Sequence, residues 1–171
     1  MKRVIVINGR GGVGKDTICD ILAKHYSAIN VSSITPIKGI AMAHGWNGEK
    51  DAKSRKFLSD LKALFTEYND MPNKYVLSRV QDFASGLGEI LFVHIREGAE
   101  IAKFVEAARK IVGNMAEVRT LLVRRAAVSV PLGNRSDDDV EGYTYDWVYD
   151  NDLPLGEVEA DIIARFKTKW K

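Results

Sequence analysis

The sequence predicts a three-layer α/β/α domain built on a central five-stranded parallel sheet. Short apolar runs alternate along the chain with segments whose apolar residues recur at helical spacing. Such alternation is typical of a parallel sheet covered by helices on both faces. The 171 residues are enough for one domain that buries a core without disulfides or metals. We therefore expect a single domain over residues 1–171.

Five apolar runs predict the strands, and the segments between them predict the helices. The strands are expected at 4–7, 29–34, 89–96, 120–123 and 145–149. The run over 89–96 is nearly continuous, as in a central strand that is buried on both faces. Helices are expected at about 15–26, in a mainly helical region before Gly86, at about 99–112, and from about 153 with Asp152 as the N-cap.

Two apolar stripes in the helical region are interpreted as core packing. The first consists of Phe57, Leu58, Leu61, Leu64, Phe65 and Tyr68. The second consists of Tyr75, Val76, Val80, Phe83 and Ala84. Lysines alternate with the apolar positions of the first stripe, and we expect them on its solvent-exposed side. They are Lys50, Lys53, Lys56 and Lys62.

Composition excludes several classes of protein. The formal net charge of +2 is too small to imply nucleic acid as the main partner, and no window approaches the length of a membrane span. The apolar run after Met1 ends too soon for a secretory signal. The single cysteine, Cys19, lies among apolar residues at helical spacing, so we expect an inert thiol in a reducing cytoplasm.

A glycine-rich segment follows the first predicted strand directly. It reads Gly9-Arg10-Gly11-Gly12-Val13-Gly14-Lys15-Asp16-Thr17 and fits G-x-x-x-x-G-K-[ST], except that Asp16 precedes the threonine. Where side chains are missing, successive backbone N–H groups can curl around an anion, and the next helix adds its positive N-terminus. The segment therefore predicts a polyphosphate site in which Lys15 reaches the β- and γ-phosphates. The expected binding residues are Gly9, Gly11, Gly12, Val13, Gly14, Lys15, Asp16 and Thr17.

The same segment also fits the dinucleotide-binding pattern G-x-G-x-x-G. That site needs an acidic residue about 20 positions further on, at the end of the second strand. The region 29–34 contains no carboxylate, and a lysine directly after the last glycine has no role in a dinucleotide site. The phosphate-binding interpretation is therefore favoured.

These features resemble a P-loop nucleoside or nucleotide kinase, most closely the small phage-type deoxynucleoside monophosphate kinases and their adenylate-kinase-like relatives. The sequence Gly14-Lys15-Asp16-Thr17 is a recurring form of the loop in that family. Three softer patterns follow in the family's order: residues 45–51 before a helix with Arg55, a strand that closes on Arg96 with Glu100 soon after, and residues 145–152 before the last helix. The resemblance spans nearly the whole chain.

The resemblance implies a P-loop nucleoside triphosphate hydrolase fold, with ATP and Mg²⁺ as ligands. The implied reaction is transfer of the γ-phosphate to a small phosphorylated acceptor, a deoxynucleoside monophosphate above all. A helical acceptor-binding insertion is expected at about 37–86, and a lid-like segment at about 126–143, where the chain is least regular. The protein is expected to be a monomer or a homodimer.

Cations matter most in phosphoryl transfer, because the reaction needs positioning and charge neutralisation. Lys15 and Arg96 are the main catalytic candidates, and Arg96 is expected to grip the acceptor phosphate unless it forms an ordinary strand-end ion pair. Arg124 and Arg125, before the lid-like segment, are further catalytic candidates. Arg55, Arg96 and Arg135 are the candidates for acceptor binding. Arg79 is a further candidate for binding phosphate. Each of these arginines except Arg96 can equally be a solvated helix or loop charge, and for Arg79 that is the better interpretation.

The metal site differs from the family pattern. Members usually carry an aspartate two residues before the arginine, and this chain has His94 there. Asp16, in the first turn of a helix, is our candidate for holding Mg²⁺, with simple helix capping as the alternative. His94 is interpreted as a hydrogen-bonded strand-end residue, because a monophosphate with a second pKa of about 6 needs no strong base.

Two other functions stay open at this stage. One is a different small-molecule kinase on the same scaffold, which would phosphorylate a nucleoside, dephospho-coenzyme A or phosphomevalonate. The other is a module that binds ATP without turning it over.

Overall fold

The computed structural model describes residues 1–128 and 139–170. Its strands are β1 (Lys2–Asn8), β2 (Ala28–Ser32), β3 (Ile90–His94), β4 (Ala116–Arg124) and β5 (Trp147–Asp150). They form one sheet in the order β2-β3-β1-β4-β5, and every neighbouring pair is parallel. The predicted five-stranded parallel sheet is confirmed.

Six α-helices are found in the described ranges. They are α1 (Lys15–Ala23), α2 (Thr35–Ala43), α3 (Ala52–Asn69), α4 (Met71–Ser85), α5 (Gly98–Val112) and α6 (Leu155–Lys169). Two short 3-10 turns occupy Ala126–Val128 and Asp139–Glu141. None of the helices described is long and apolar enough to cross a membrane.

The side chains of β1 divide the core into two layers. Ile5 and Ile7 pack on one face with α1 and α6, whereas Val4 and Val6 pack on the other face with α4 and α5. All four are buried, as the period-two alternation of a strand between two helical layers requires. Each such side chain contributes about 1.5–3 kcal/mol by leaving water, so β1 stabilises both core layers.

The connections leave a crevice at the carboxyl edge of the sheet. β1 and β3 are neighbours, with Ile7 opposite His94, but α1 after β1 and α5 after β3 pack on opposite faces. Ligands of open α/β sheets bind where consecutive connections diverge in this way. The segment after Asn8 and the residues after His94 therefore meet at one crevice.

The interpretation of the α3 stripe as core is wrong, because three of its residues are exposed and the other three, Leu58, Leu61 and Phe65, are only half-buried and lie in neither core layer. Phe57, Leu64 and Tyr68 are 43%, 63% and 84% exposed. Lys62 is buried instead, at 9% exposure, so its predicted place on the solvent-exposed side is also wrong. The reason is that α3 lies outside the two core layers and packs on α2 and α4, which cover only one flank.

The ends of two helices also differ from prediction. α1 stops at Ala23 because the N–H groups of Lys24 and His25 bond three residues back and tighten the last turn. Asp152 does not cap α6, which has Pro154 at its N-cap position. The carboxylate of Asp152 accepts instead from the N–H of Ala126 at 2.7 Å.

Cys19 lies where the sequence places it. Its side chain is 1% exposed in the layer between the sheet and α1, and burial raises the pKa of the thiol well above its usual range. The thiol is therefore protonated and unreactive at neutral pH.

Candidate active site

The glycine-rich segment forms a tight loop between β1 and α1. Gly9, Gly12 and Gly14 have φ angles of 144°, 83° and 93°, which L-residues with side chains rarely adopt. A Cβ at Gly9 would lie 2.3 Å from the carbonyl oxygen of Val123 at the end of β4. The loop therefore packs closely against the neighbouring strand, and only a residue without a side chain fits there.

Asn151 holds the far end of the loop. It is 5% exposed, directly after β5, and its Nδ2 donates to the carbonyl of Val13 at 2.8 Å. Its own N–H donates to the carbonyl of Arg124 at 2.8 Å, which fixes it to the end of β4. Sequence reasoning included Asn151 only in a soft pattern and gave it no role.

Lys15 is the first residue of α1, and its ammonium turns back over the loop. Nζ donates to the carbonyls of Gly9 at 2.5 Å and Arg10 at 2.9 Å. Asp16 follows in the first turn and is exposed, so a carboxylate and an ammonium flank the N-terminus of one helix. The loop thus offers curled backbone, a helix N-terminus and a cation to an anion.

Asn8 connects the loop to the end of β3. It is fully buried, and its Oδ1 accepts from the N–H of Gly9 at 2.8 Å. Its Nδ2 donates to the carbonyl of Arg96 at 2.9 Å and to the hydroxyl of Tyr145 at 2.7 Å. That hydroxyl in turn donates to the carbonyl of Val140 at 2.9 Å. Asn8 was missed, although a polar residue that ends a buried run before the first glycine is a usable signal.

His94 lies among the charges of the site. Its Nε2 is 3.1 Å from Oδ1 of Asn30 on β2. Burial lowers the pKa of His94, the carboxylate of Asp16 opposes that shift, and the cations Lys15 and Arg96 lower it further. The neutral ring at physiological pH agrees with the structural role predicted for this residue. The charges of Lys15, Asp16 and Arg96 thus all act on one histidine.

Among the described residues, no group of three or more His, Cys, Asp or Glu side chains forms a metal centre. Mg²⁺ does not require one, because it is usually held by one or two carboxylates and by the phosphates of the substrate. The exposed carboxylate of Asp16 beside the loop fits that requirement. ATP fits the loop itself, through the three glycines of positive φ and the lysine.

The other predicted arginines are placed differently. Arg124 ends β4 and pairs with Glu141 through Nε at 3.1 Å and through Nη2, which raises the pKa of the guanidinium. Arg125 and Arg55 are exposed, and neither side chain has a hydrogen bond or ion pair within the described ranges. Arg135 lies outside the described residues, as does most of the lid-like segment between 128 and 139. Arg79 pairs with Asp82 at 3.0 Å on the surface, as a solvated helix charge would.

The sheet order and the loop between β1 and α1 define the fold of the P-loop kinases. No protein-family model matches the chain, and no curated protein matches its sequence. Solved structures do match its fold over nearly the full length of both chains.

Three of these structures superpose with TM-scores above 0.5. A candidate kinase from Chloroflexus aurantiacus J-10-fl has a TM-score of 0.56 and 11% identity, covering 98% of this chain and 97% of its own. A sugar kinase from Janibacter sp. HTCC2649 has a TM-score of 0.54 and 15% identity, covering 98% and 95%. The protein TT1252 from Thermus thermophilus has a TM-score of 0.52 and 15% identity, covering 98% and 97%. At these identities the likeness shows the fold.

Proposed function

We propose that this protein transfers the γ-phosphate of ATP to a small phosphorylated acceptor, and that the acceptor is a deoxynucleoside monophosphate. The observation that carries the proposal is the double attachment of Asn8. One amide group holds both the first glycine of the phosphate loop and the carbonyl of Arg96. The backbone that carries Arg96 is thus fixed next to the loop, and this supports an in-line transfer from a donor in the loop to an acceptor held by Arg96.

Lys15 acts on the donor side. Its ammonium is held over the loop by two neutral carbonyls, and we expect these hydrogen bonds to be exchanged for the anionic β- and γ-phosphate oxygens when ATP binds. Asp16 would hold Mg²⁺ through water, and the ion would supply further charge neutralisation.

Arg96 acts on the acceptor side. It is exposed at the crevice, one residue beyond the buried Ile95, where it meets a phosphate that approaches the loop. A phosphate acceptor is already ionised and needs no general base. This agrees with a neutral His94 that is engaged with Asn30. A hydroxyl acceptor would need a general base such as a carboxylate, and the proposed reaction assigns none.

The chain between β2 and β3 forms the acceptor-binding part in this proposal, and residues 126–143 form the lid. Helices α2, α3 and α4 all lie in that interval. Arg55 at the start of α3 contributes to acceptor binding, and Arg124, Arg125 and Arg135 come from the lid side.

The direct test is an ADP-release assay with ATP, Mg²⁺ and a panel of deoxynucleoside and nucleoside monophosphates. We expect one or more monophosphates to stimulate ADP release, and Arg96→Ala to raise the acceptor KM at least about tenfold with little change in the ATP KM. Arg79→Ala is the matched control, since Arg79 is an exposed arginine with a local partner. Tight ATP binding with no acceptor-stimulated release would instead identify a binding module. Turnover of nucleosides but not monophosphates would identify a hydroxyl kinase.

A further inference from the structure

A buried carboxamide near the crevice is only half satisfied. Asn73, in the first turn of α4, is 6% exposed, and its Nδ2 donates to Oδ2 of Asp70 at 3.0 Å. A carboxylate only accepts, so this contact fixes which end of the amide carries the nitrogen. The Oδ1 of Asn73 has no hydrogen-bond partner within the described ranges. An unpaired buried acceptor costs about 1–3 kcal/mol, so its retention calls for an explanation.

A cavity of about 10 Å³ lies beside this amide. It is lined by Ser33, Lys62, Pro72, Asn73, Ile95 and Glu100. The hydroxyl of Ser33 donates to the carbonyl of His94 at 3.3 Å, and the ammonium of Lys62 is engaged with Glu97 at 2.6 Å. The side chains around the cavity offer three acceptors, namely the Asn73 oxygen, the Glu100 carboxylate and the Ser33 oxygen, and one donor, the Lys62 ammonium. Among the lining side chains in the described ranges, the buried atom without a partner is the Asn73 oxygen, and an acceptor calls for a hydrogen-bond donor.

The cavity lies on the acceptor side of the crevice. Ser33 directly follows β2 and Ile95 directly follows β3, and β3 is the strand next to β1. Arg96 is the residue after Ile95. A molecule with its phosphate at Arg96 that extends away from the loop, towards β2, therefore reaches the cavity with its opposite end. In a nucleoside monophosphate that end is the base.

The size of the cavity limits which part of a base can enter it. It has room for about one water-sized group and not for a ring. An exocyclic amino group projects from a base, whereas an imino N–H belongs to the ring itself. Only the former enters a space of this size without the ring.

We propose that this cavity reads the acceptor base, and that it receives an exocyclic amino group that donates to Oδ1 of Asn73. Glu100 is the second acceptor for the same group. The inference rests on the proposed function and deepens it, because it favours adenine, guanine or cytosine nucleotides over those of thymine or uracil. Asn73 is then a specificity residue in the acceptor site.

The test compares acceptors that differ only in that amino group. Suitable pairs are dGMP with dIMP, and dAMP with the monophosphate of purine deoxyriboside. We expect the amino-bearing member of the preferred pair to have a kcat/KM about 100-fold higher or more, because its analogue leaves buried acceptors unpaired. A thymine or uracil nucleotide as the best acceptor, or equal rates within the pair, would overturn the inference.

Asn73→Leu separates recognition from structure. This near-isosteric change removes the unpaired oxygen and also the hydrogen bond to Asp70, two opposite effects on stability. We expect a Tm within a few degrees of the unmodified protein, an unchanged ATP KM, and a loss of the difference within the pair. Gln81→Leu, an exposed amide on the same helix, is the control and should keep the difference. If Asn73→Leu also keeps it, the cavity holds water only and the inference is wrong. If no monophosphate is turned over by the unmodified protein, the proposed function itself is wrong and this inference falls with it.

Discussion

Asn151 lies so close to Gly14 that no side chain fits between them. A Cβ at Gly14 would come within 2.5 Å of Nδ2 of Asn151, the nitrogen that donates to the carbonyl of Val13 at 2.8 Å. The last turn of the phosphate loop is thus clamped from the end of β5. This makes the loop sensitive to a single methyl group.

We expect Gly14→Ala to weaken ATP binding at least about tenfold, since alanine at φ 93° is strained and its methyl would displace Asn151. The affinity is measured by titration calorimetry with a non-hydrolysable ATP analogue. The control is Gly113→Ala, also at positive φ (50°) but in open space at the far end of α5. Equal affinity in both variants would contradict a clamped loop.

Lys15→Met should reduce kcat by about 10³-fold or more, because it removes the cation over the loop while leaving the buried face of α1 intact. Turnover and circular dichroism are measured together. Lys24 lies at the other end of the helix and pairs with the exposed Glu159, so Lys24→Met should have a kcat close to that of the unmodified protein. Near-normal turnover in Lys15→Met would refute its catalytic role.

Asp16→Asn should raise the Mg²⁺ concentration needed for half-maximal turnover by about tenfold, since one of the few carboxylates available to the ion loses its charge. The readout is a Mg²⁺ titration at saturating ATP. Asp20→Asn, one turn further along and also exposed, is the matched control. An unchanged Mg²⁺ dependence in Asp16→Asn would leave Asp16 as a helix cap.

Lys62→Met should lower the free energy of unfolding by about 1–3 kcal/mol, because Glu97 loses the ammonium that compensates its carboxylate at 2.6 Å. Lys56→Met breaks a solvent-exposed pair with Asp60 and should change the free energy of unfolding by less than about 0.5 kcal/mol. Urea unfolding measures both. The double variant Lys62→Met with Glu97→Gln should recover part of the loss, and no recovery would show that the ion pair is not its cause.

Stability should fall as the pH is lowered from neutrality, in part through His94. Its pKa is lowered in the folded state, so below the unfolded value of about 6.5 the unfolded chain binds the proton more readily. The stability from the neutral ring is therefore complete above that pH and is lost as the pH falls towards the folded pKa. His94→Gln should reduce the change in the free energy of unfolding between about pH 7.5 and 5.5, as measured by urea unfolding. His44→Gln, on the surface, should not reduce it. If the free energy of unfolding of both variants changes equally with pH, His94 is not the cause.

The sheet and the phosphate loop were predictable because their signals are local. A buried run of four residues followed by glycines and a lysine determines a strand, a turn and a helix start within one short segment. The roles of Asn8 and Asn151 were not predictable in this way, since each depends on partners far away in the chain. A single asparagine carries no periodic pattern.

The exposed stripe of α3 shows a second limit. Helical periodicity indicates which residues share a face, but not whether another element covers that face. Leu64 was expected inside and Lys62 outside, and the structure reverses both, because α2 and α4 cover the flank that carries the lysine. Burial of Lys62 goes with its ion pair to Glu97, the residue just before α5, a tertiary contact that no local pattern reports.

The helices between β2 and β3 differ in how closely they are tied to the sheet. Helix α4 belongs to the core layer that packs on Val4 and Val6 of β1, whereas α2 and α3 contribute no residue to either core layer. We therefore expect that another helical pair can replace α2 and α3 while β1 and its loop stay in place. On the proposed function, a chimera that carries such a transplanted pair would retain its phosphate donor and acquire a new recipient.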